Sequence, residues 1–236
     1  MKGCGLNTSE PRRLLVEGLV IVASILLAFA IDAGWASFAE GRTLQQLTTS
    51  LHRDVTASQV AMSWRRAWAE DVVEKSRSIL NGVANGTRGP ALDSVVFDIG
   101  DVFVKGEWGP INNTYEQALS SGDLSLIRDA EIRFLLGRYA EALEDLRTRQ
   151  ERAVTQYYGQ LEPFLVAHTD YSQVALDGSA DGLVRGPFST DSELLASSRD
   201  FFNLVNLKLE LELETIQAMD EALHLADEVI ESLQGS

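Results

Sequence analysis

Residues 14–31 read LLVEGLVIVASILLAFAI, and apolar character continues through Ala33, Gly34, Trp35, Ala36 and Phe38. No other stretch constrains the chain so strongly. Crossing the hydrocarbon of a bilayer takes roughly 20 mostly apolar residues, and 14–39 meets that length with only Glu17 and Asp32 charged. The uncharged run between those two carboxylates, 18–31, is about 21 Å long as a helix. Both carboxylates therefore belong near headgroup level, where a charge costs little. Arg13, four residues before Glu17 on the same helix face, is its candidate partner. Trp35 and Phe38 fall at the far interface, where amphipathic rings are favoured.

The flanks give an orientation. Lys2, Arg12 and Arg13 precede the apolar stretch, whereas Asp32 and Glu40 come before the next cation, Arg42. The positive-inside rule then puts 1–13 in the cytoplasm as a tail, 14–39 in the membrane and 40–236 outside, which in a bacterium is the periplasm. A competing reading is a cleavable signal peptide with Ala28-Phe29-Ala30 as its processing site. Glu17 inside the apolar region and the lack of a turn former in 19–33 favour an uncleaved anchor. Cys4 precedes the apolar run, so it is not placed as a lipoprotein cysteine and reads as a tail thiol.

Among 236 residues, 45% are apolar and 23% charged, an ordinary globular mixture rather than a disordered one. The formal net charge of −15 argues against nucleic acid as a partner. A single Cys excludes a disulfide framework and a Cys-based zinc site.

Beyond the membrane, the pattern is helical. Leu44, Leu47, Leu51, Val55, Ser58 and Met62 recur three or four apart, and Trp64 and Trp68 share a face. This helix is expected to stop at Asn81-Gly82, followed by a loop through Pro90, and it is either continuous with the membrane helix or follows it. The segment 93–103 fits a short helix or a strand equally. Asn113 or Thr114 is expected to cap a helix opening at Tyr115, with Gln117 completing a capping box, and that helix ends at Ser121-Gly122. Another opens near Asp129 and runs to about His168, with Pro163 kinking or fraying its last turn. Residues 169–190 form the longest loop. Asp191 or Ser192 opens a final helix to Leu233. Within it, 205–214 (VNLKLELELE) alternates like a strand, but Leu, Glu and Lys are helix formers and the flanks are helical, so the expectation is helix. The resulting fold class is all-α: an N-terminal transmembrane helix with an antiparallel bundle of long helices.

Two segments carry a resemblance to a known family. One is residues 17–42, EGLVIVASILLAFAIDAGWASFAEGR, with Glu17 opening the apolar helix and Asp32 and Trp35 closing it. The other is residues 114–143, with Thr114, Tyr115, Glu116, Ser121, Gly122, Leu124, Ile127 and Tyr139. Their order and separation resemble a family of uncharacterised bacterial single-pass inner-membrane proteins with a helical extracytoplasmic domain of unknown function. The chain departs from that pattern in the sequence Ser37-Phe38-Ala39-Glu40-Gly41-Arg42 before Thr43, where a denser run of charges is expected. The resemblance implies an anchored topology and supplies no activity.

Chemistry is sparsely signalled. Glu221 and His224 stand three apart on one helix, as in carboxylate-bridged di-metal bundles, but His52 and His168 lack a Glu three residues before them, so the second pair is missing. Asp98 with Asp101, and Asp177 with Asp181, flank glycines without the six-position ligand pattern of a calcium loop. There is no G-x-S-x-G elbow and no phosphate-binding loop. No cofactor, metal or catalytic residue is assigned. Gly122 reads as a left-handed helix terminus, locked into the bundle by Leu124 and Ile127, and Trp64, Trp68 and Trp108 read as core. The expected role is a non-enzymatic, membrane-anchored protein whose partners are the lipid bilayer and a second copy or another membrane protein. The alternative is a ligand-sensing bundle acting with a partner membrane protein, since AMDEALHLADEVIESLQGS is too charged to be a second span.

Overall fold

A computed structural model describes residues 10–89, 91–92, 110–174, 184 and 186–235. The readings of 93–103, of Trp108 and of Asp177 with Asp181 lie outside the described residues, as does the Arg13 side chain. The described residues are helical or irregular, with no strand among them, so the chain is all-α. The elements are α1 (Glu10–Ala84), α2 (Asn113–Ser121), a 3₁₀ turn (Asp123–Leu126), α3 (Ala130–Gln156), a π-helical turn (Tyr157–Leu161), α4 (Glu162–His168), α5 (Tyr171–Val174), α6 (Ser192–Ser197) and α7 (Arg199–Gln234). Two compact units divide the chain, Met1–Thr49 and Ser50–Ser236, and α1 contributes to each.

In the first unit, every residue from 18 to 42 is exposed. Helix hydroxyls here bond back to their own backbone, Ser24 to the Val20 carbonyl at 2.8 Å and Thr43 to the Ala39 carbonyl at 3.1 Å. Such bonds satisfy a hydroxyl without water.

In the second unit, the helices assemble through buried stripes. Leu51, Val55, Ser58 and Met62 are buried at the expected spacing, and Ala69, Val72, Val73, Ser76, Ile79 and Leu80 extend that stripe along α1. The helix outlasts the expected stop at Asn81-Gly82. It ends at Ala84, where the Gly86 amide reaches the Val83 carbonyl and the Thr87 amide reaches the Gly82 carbonyl. The second Asn-Gly supplies the terminus because its glycine takes φ +69°, a left-handed value.

Three polar pairs fix how α7 lies on α1: His52 with Gln234, Gln59 with Asp227, and Arg66 with Asp220. The numbers rise by seven on α1 as they fall by seven on α7, so the two helices are antiparallel and matched heptad for heptad. Helix α3 is likewise antiparallel to α7, with Arg138 facing Glu221, Arg152 facing Glu214 and Gln156 donating to the Leu204 carbonyl. It follows that α1 and α3 run the same way. The chain returns between them, and it is back beside α1 at Ile111, whose amide donates to Ser58 Oγ at 2.8 Å.

The α3–α4 run bends differently from expectation. Pro163 sits in the first turn of α4, where its missing N–H costs nothing. The distortion lies just before it, in the π turn. Buried positions Ala153, Tyr157, Leu161 and Leu165 recur every four residues. At 100° per residue each such step overshoots a turn by about 40°. The π turn absorbs about one residue of that drift, so Leu165, 19 residues after Leu146, comes back to its face. Gly159, four before Pro163, lies inside this turn, so no α-helical carbonyl meets the proline ring.

Asp191 caps α6 by accepting from the Leu194 amide, as expected, but the helix breaks at Ser198. Ser198 is extended and its hydroxyl accepts from the Phe201 amide, opening α7 separately. Residues 205–214 are helical throughout. One end of the bundle is closed by Ile79, Leu92, Leu161, Leu165, Leu195 and Phe201, all 1% exposed or less.

Candidate functional site

Three places were candidates for function: the apolar surface of the first unit, the corner around α2, and a polar layer within the bundle. In the first, Leu19, Leu26, Leu27, Phe29 and Ile31 are each more than 60% exposed, and Trp35 is 72% exposed. One helix is thus long and apolar enough to cross a membrane, and its apolar window is uncovered by the protein. Glu17 and Asp32 are exposed at the ends of that window. Trp35 and Phe38 sit with ring centroids 6.2 Å apart, and the Arg42 guanidinium stands 6.0 Å over the Phe38 ring. Rings backed by a cation suit a boundary between apolar and polar surroundings.

The corner assembles most of the residues singled out in 114–143, though not through the capping box. Asn112 is the N-cap of α2 and makes no side-chain cap bond. Thr114 instead donates to Asp54 of α1. Thr114 lies inside the first turn rather than at the cap, so its hydroxyl is available to a carboxylate across the helix pair and ties α2 to α1. The Tyr115 hydroxyl lies beside Gly137 of α3. Ser121 donates to Asp123, and Gly122 takes φ +84°, the left-handed terminus expected of it. Leu124 is half-buried and accepts from the Ile127 amide, while Ile127 is 4% exposed and accepts from Arg133. Tyr139 is buried next to Ser58. Both hydrogen-bonding functions of Ser58 are engaged by Ile111, and the Tyr139 hydroxyl makes no hydrogen bond of regular geometry. Burial pushes its pKa up to about 12. Thr114 and Tyr115 tie α2 to α1 and α3, Tyr139 ties α3 to α1, and the remaining contacts hold the turn between α2 and α3. The corner is a structural joint.

The polar layer was not visible in the sequence. Lys208 and Glu212, four apart on α7, are 4% and 1% exposed and paired at 2.6 Å. Glu212 Oε2 makes no hydrogen bond, and neither do Ser76 Oγ, Gln150 Nε2 and Gln156 Oε1. The heptad-matched register carries Ser76 to the level of Glu210, between Lys208 and Glu212. Gln150 lies between Arg149 and Arg152, both of which reach Glu214. The burial of Arg65 lowers its pKa, and the charge of Glu212 opposes that shift. Its guanidinium stacks 3.7 Å over Trp68, which packs against the apolar core.

Other expectations resolve simply. Trp64 is 75% exposed rather than core, because position 64 falls on the face of α1 opposite Met62 and Ala69. Glu221 and His224 do not converge: His224 faces Glu228 at 3.7 Å, and Glu221 faces Arg138. Among the described residues no group of three or more His, Cys, Asp or Glu is placed to hold a metal ion. His52 is tied to Gln234, and His168 stacks on Phe164 with centroids 4.2 Å apart.

No protein-family model, curated protein or solved structure matches the chain.

Proposed function

We propose that this is a membrane-anchored, non-enzymatic interaction protein of the bacterial inner membrane. Its N-terminus is cytoplasmic and its helical bundle periplasmic, in the manner of the single-pass family that residues 17–42 and 114–143 resemble. The observation carrying this reading is the uncovered apolar surface of 18–38, which in water would exceed the patches that monomeric proteins tolerate. Support for a contact role comes from the bundle, where Val60, Trp64 and Phe134 are each more than 60% exposed.

The single cysteine offers a direct test. In sealed, right-side-out vesicles, an impermeant maleimide leaves Cys4 unlabelled until the membrane is opened, whereas a cysteine at Ser232 (Ser232→Cys, in a Cys4→Ser chain) labels at once. The reverse pattern overturns the orientation. Purification in mild detergent with intact-mass measurement addresses the contact role. A particle heavier than one chain, or a stoichiometric second protein, supports it, and a clean monomer removes the homo-oligomer. A mature chain beginning at Ile31 overturns the anchor itself.

A further inference from the structure

The polar layer of the bundle draws on three helices at one level. The α1–α7 register carries Ser76 to Glu210, between Lys208 and Glu212. Ser58 beside Tyr139 sets the α1–α3 register, which carries Ser76 to Tyr157, the residue after Gln156. Gln156 in turn donates to the Leu204 carbonyl, the group that in a regular helix also accepts from the Lys208 amide. The three pairwise registers close on Ser76, Gln156, Lys208 and Glu212, all 5% exposed or less.

The hydrogen-bonding capacity of these four is only partly met among the described residues. Lys208 carries three ammonium protons and makes one side-chain hydrogen bond, to Glu212 Oε1. Ser76 Oγ, Gln156 Oε1 and Glu212 Oε2 make none. Two acceptors thus need donors, while an ammonium and a hydroxyl need acceptors. Native interiors match nearly all such groups, because an unmatched one keeps its full desolvation cost. An apolar molecule would match none of the four. A cation would face the charge of Lys208 and that of Arg65, which also reaches Glu212. An anion would oppose Glu212 and leave both acceptors without a donor. Water donates two hydrogen bonds and accepts two, and so fits all four groups at once.

We propose that this layer is a water-binding site joining α1, α3 and α7. The water donates to Glu212 Oε2 and Gln156 Oε1 and accepts from Lys208 Nζ and Ser76 Oγ. Its partners sit on three helices, so its bonds are complete only when all three stand in the observed register. It is a structural ligand of the bundle.

A crystal structure of the full-length chain, at a resolution that orders internal solvent, tests this. The expected result is one solvent peak about 2.7–3.2 Å from all four atoms. Side chains bonded directly to one another, with no peak between them, overturn the proposal. So does an anomalous signal at that position from crystals soaked in rubidium or bromide, which would mark an ion. In detergent solution, the same water gives a cross-peak between the water signal and the Gln156 side-chain amide protons, identified by its loss in Gln156→Leu. A native chain without that cross-peak also overturns the proposal.

Discussion

The two compact units invert each other's chemistry. In the first, leucines, isoleucines and aromatic rings face outward with no protein over them. In the second, a lysine, a glutamate and several amide and hydroxyl groups face inward. A contiguous apolar surface of that extent suits apolar surroundings, and buried charges are tolerated where they are paired. One region therefore reports on its surroundings and the other on how its buried polar groups are paired. A helix can look ordinary in secondary structure and still announce, through which side chains it leaves uncovered, what medium it was selected for.

The largest test of that contrast is to put charge where lipid is expected. Leu26→Arg with Leu27→Arg adds about 2.5–3.5 kcal/mol per charge at a membrane centre, enough to cut the membrane-bound fraction by more than about 100-fold. Carbonate extraction followed by immunoblotting measures it. A chain that stays as membrane-bound as before would show that the uncovered surface meets something other than lipid.

Next in size is the converse experiment. Glu212→Leu alone strands the buried Lys208 ammonium and is expected to cost about 3–5 kcal/mol of stability. Replacing both partners with leucine is expected to be neutral or stabilising by about 1–4 kcal/mol. Chemical denaturation of the three chains measures this, and equal losses in single and double variants would show that the pair contributes net stability.

A pH dependence follows from Tyr139. Its folded pKa is raised to about 12 by burial, so the neutral hydroxyl is favoured in the native state. The associated stability is full below the unfolded value of about 10 and is lost as pH rises through 12, amounting to about 2–3 kcal/mol. Tyr139→Phe should leave neutral-pH stability within about 0.5 kcal/mol, because the hydroxyl gains no regular hydrogen bond, and should delay alkaline unfolding. Tyr157, whose pKa burial also raises, keeps part of the alkaline sensitivity. Melting curves between pH 9 and about 12 compare the two chains.

The smallest expected effect belongs to Gly122→Ala. No atom lies within 4 Å of the added methyl, so the cost is backbone strain at φ +84°, about 1 kcal/mol. A loss several times larger would mean that the corner does more than join helices.

What the sequence made legible, and what it hid, follows the range of the forces involved. The stripe on α1 from Leu47 to Met62, the helix starts near Asp129 and at Asp191, and the terminus at Gly122 depend on neighbours within one turn, and each stands where the pattern put it. Thr114 looked like a cap because Gln117 is three residues on, yet its hydroxyl goes to Asp54, a partner 60 positions away. The Lys208–Glu212 pair was hidden by the Leu alternation of 205–214, which gives no rotational phase to a helix. Which side faces inward is set by Arg66, Gln59 and His52 on another element. Residues 153, 157, 161 and 165 carried a readable clue in their four-residue spacing.

That spacing also bears on how the chain tolerates changes in length. A π turn is the footprint of a surplus residue held inside an otherwise regular helix. Deleting Gly159 would let Tyr157–Leu161 relax to ordinary helix, with Leu161 and Leu165 still turned toward the core and the α4 end drawn in by about 1.5 Å. Inserting one residue at the same place would leave two to absorb and turn that face out. Relatives of this protein one residue shorter there should fold alike, and the helix would carry no trace of the difference except a straight run of hydrogen bonds.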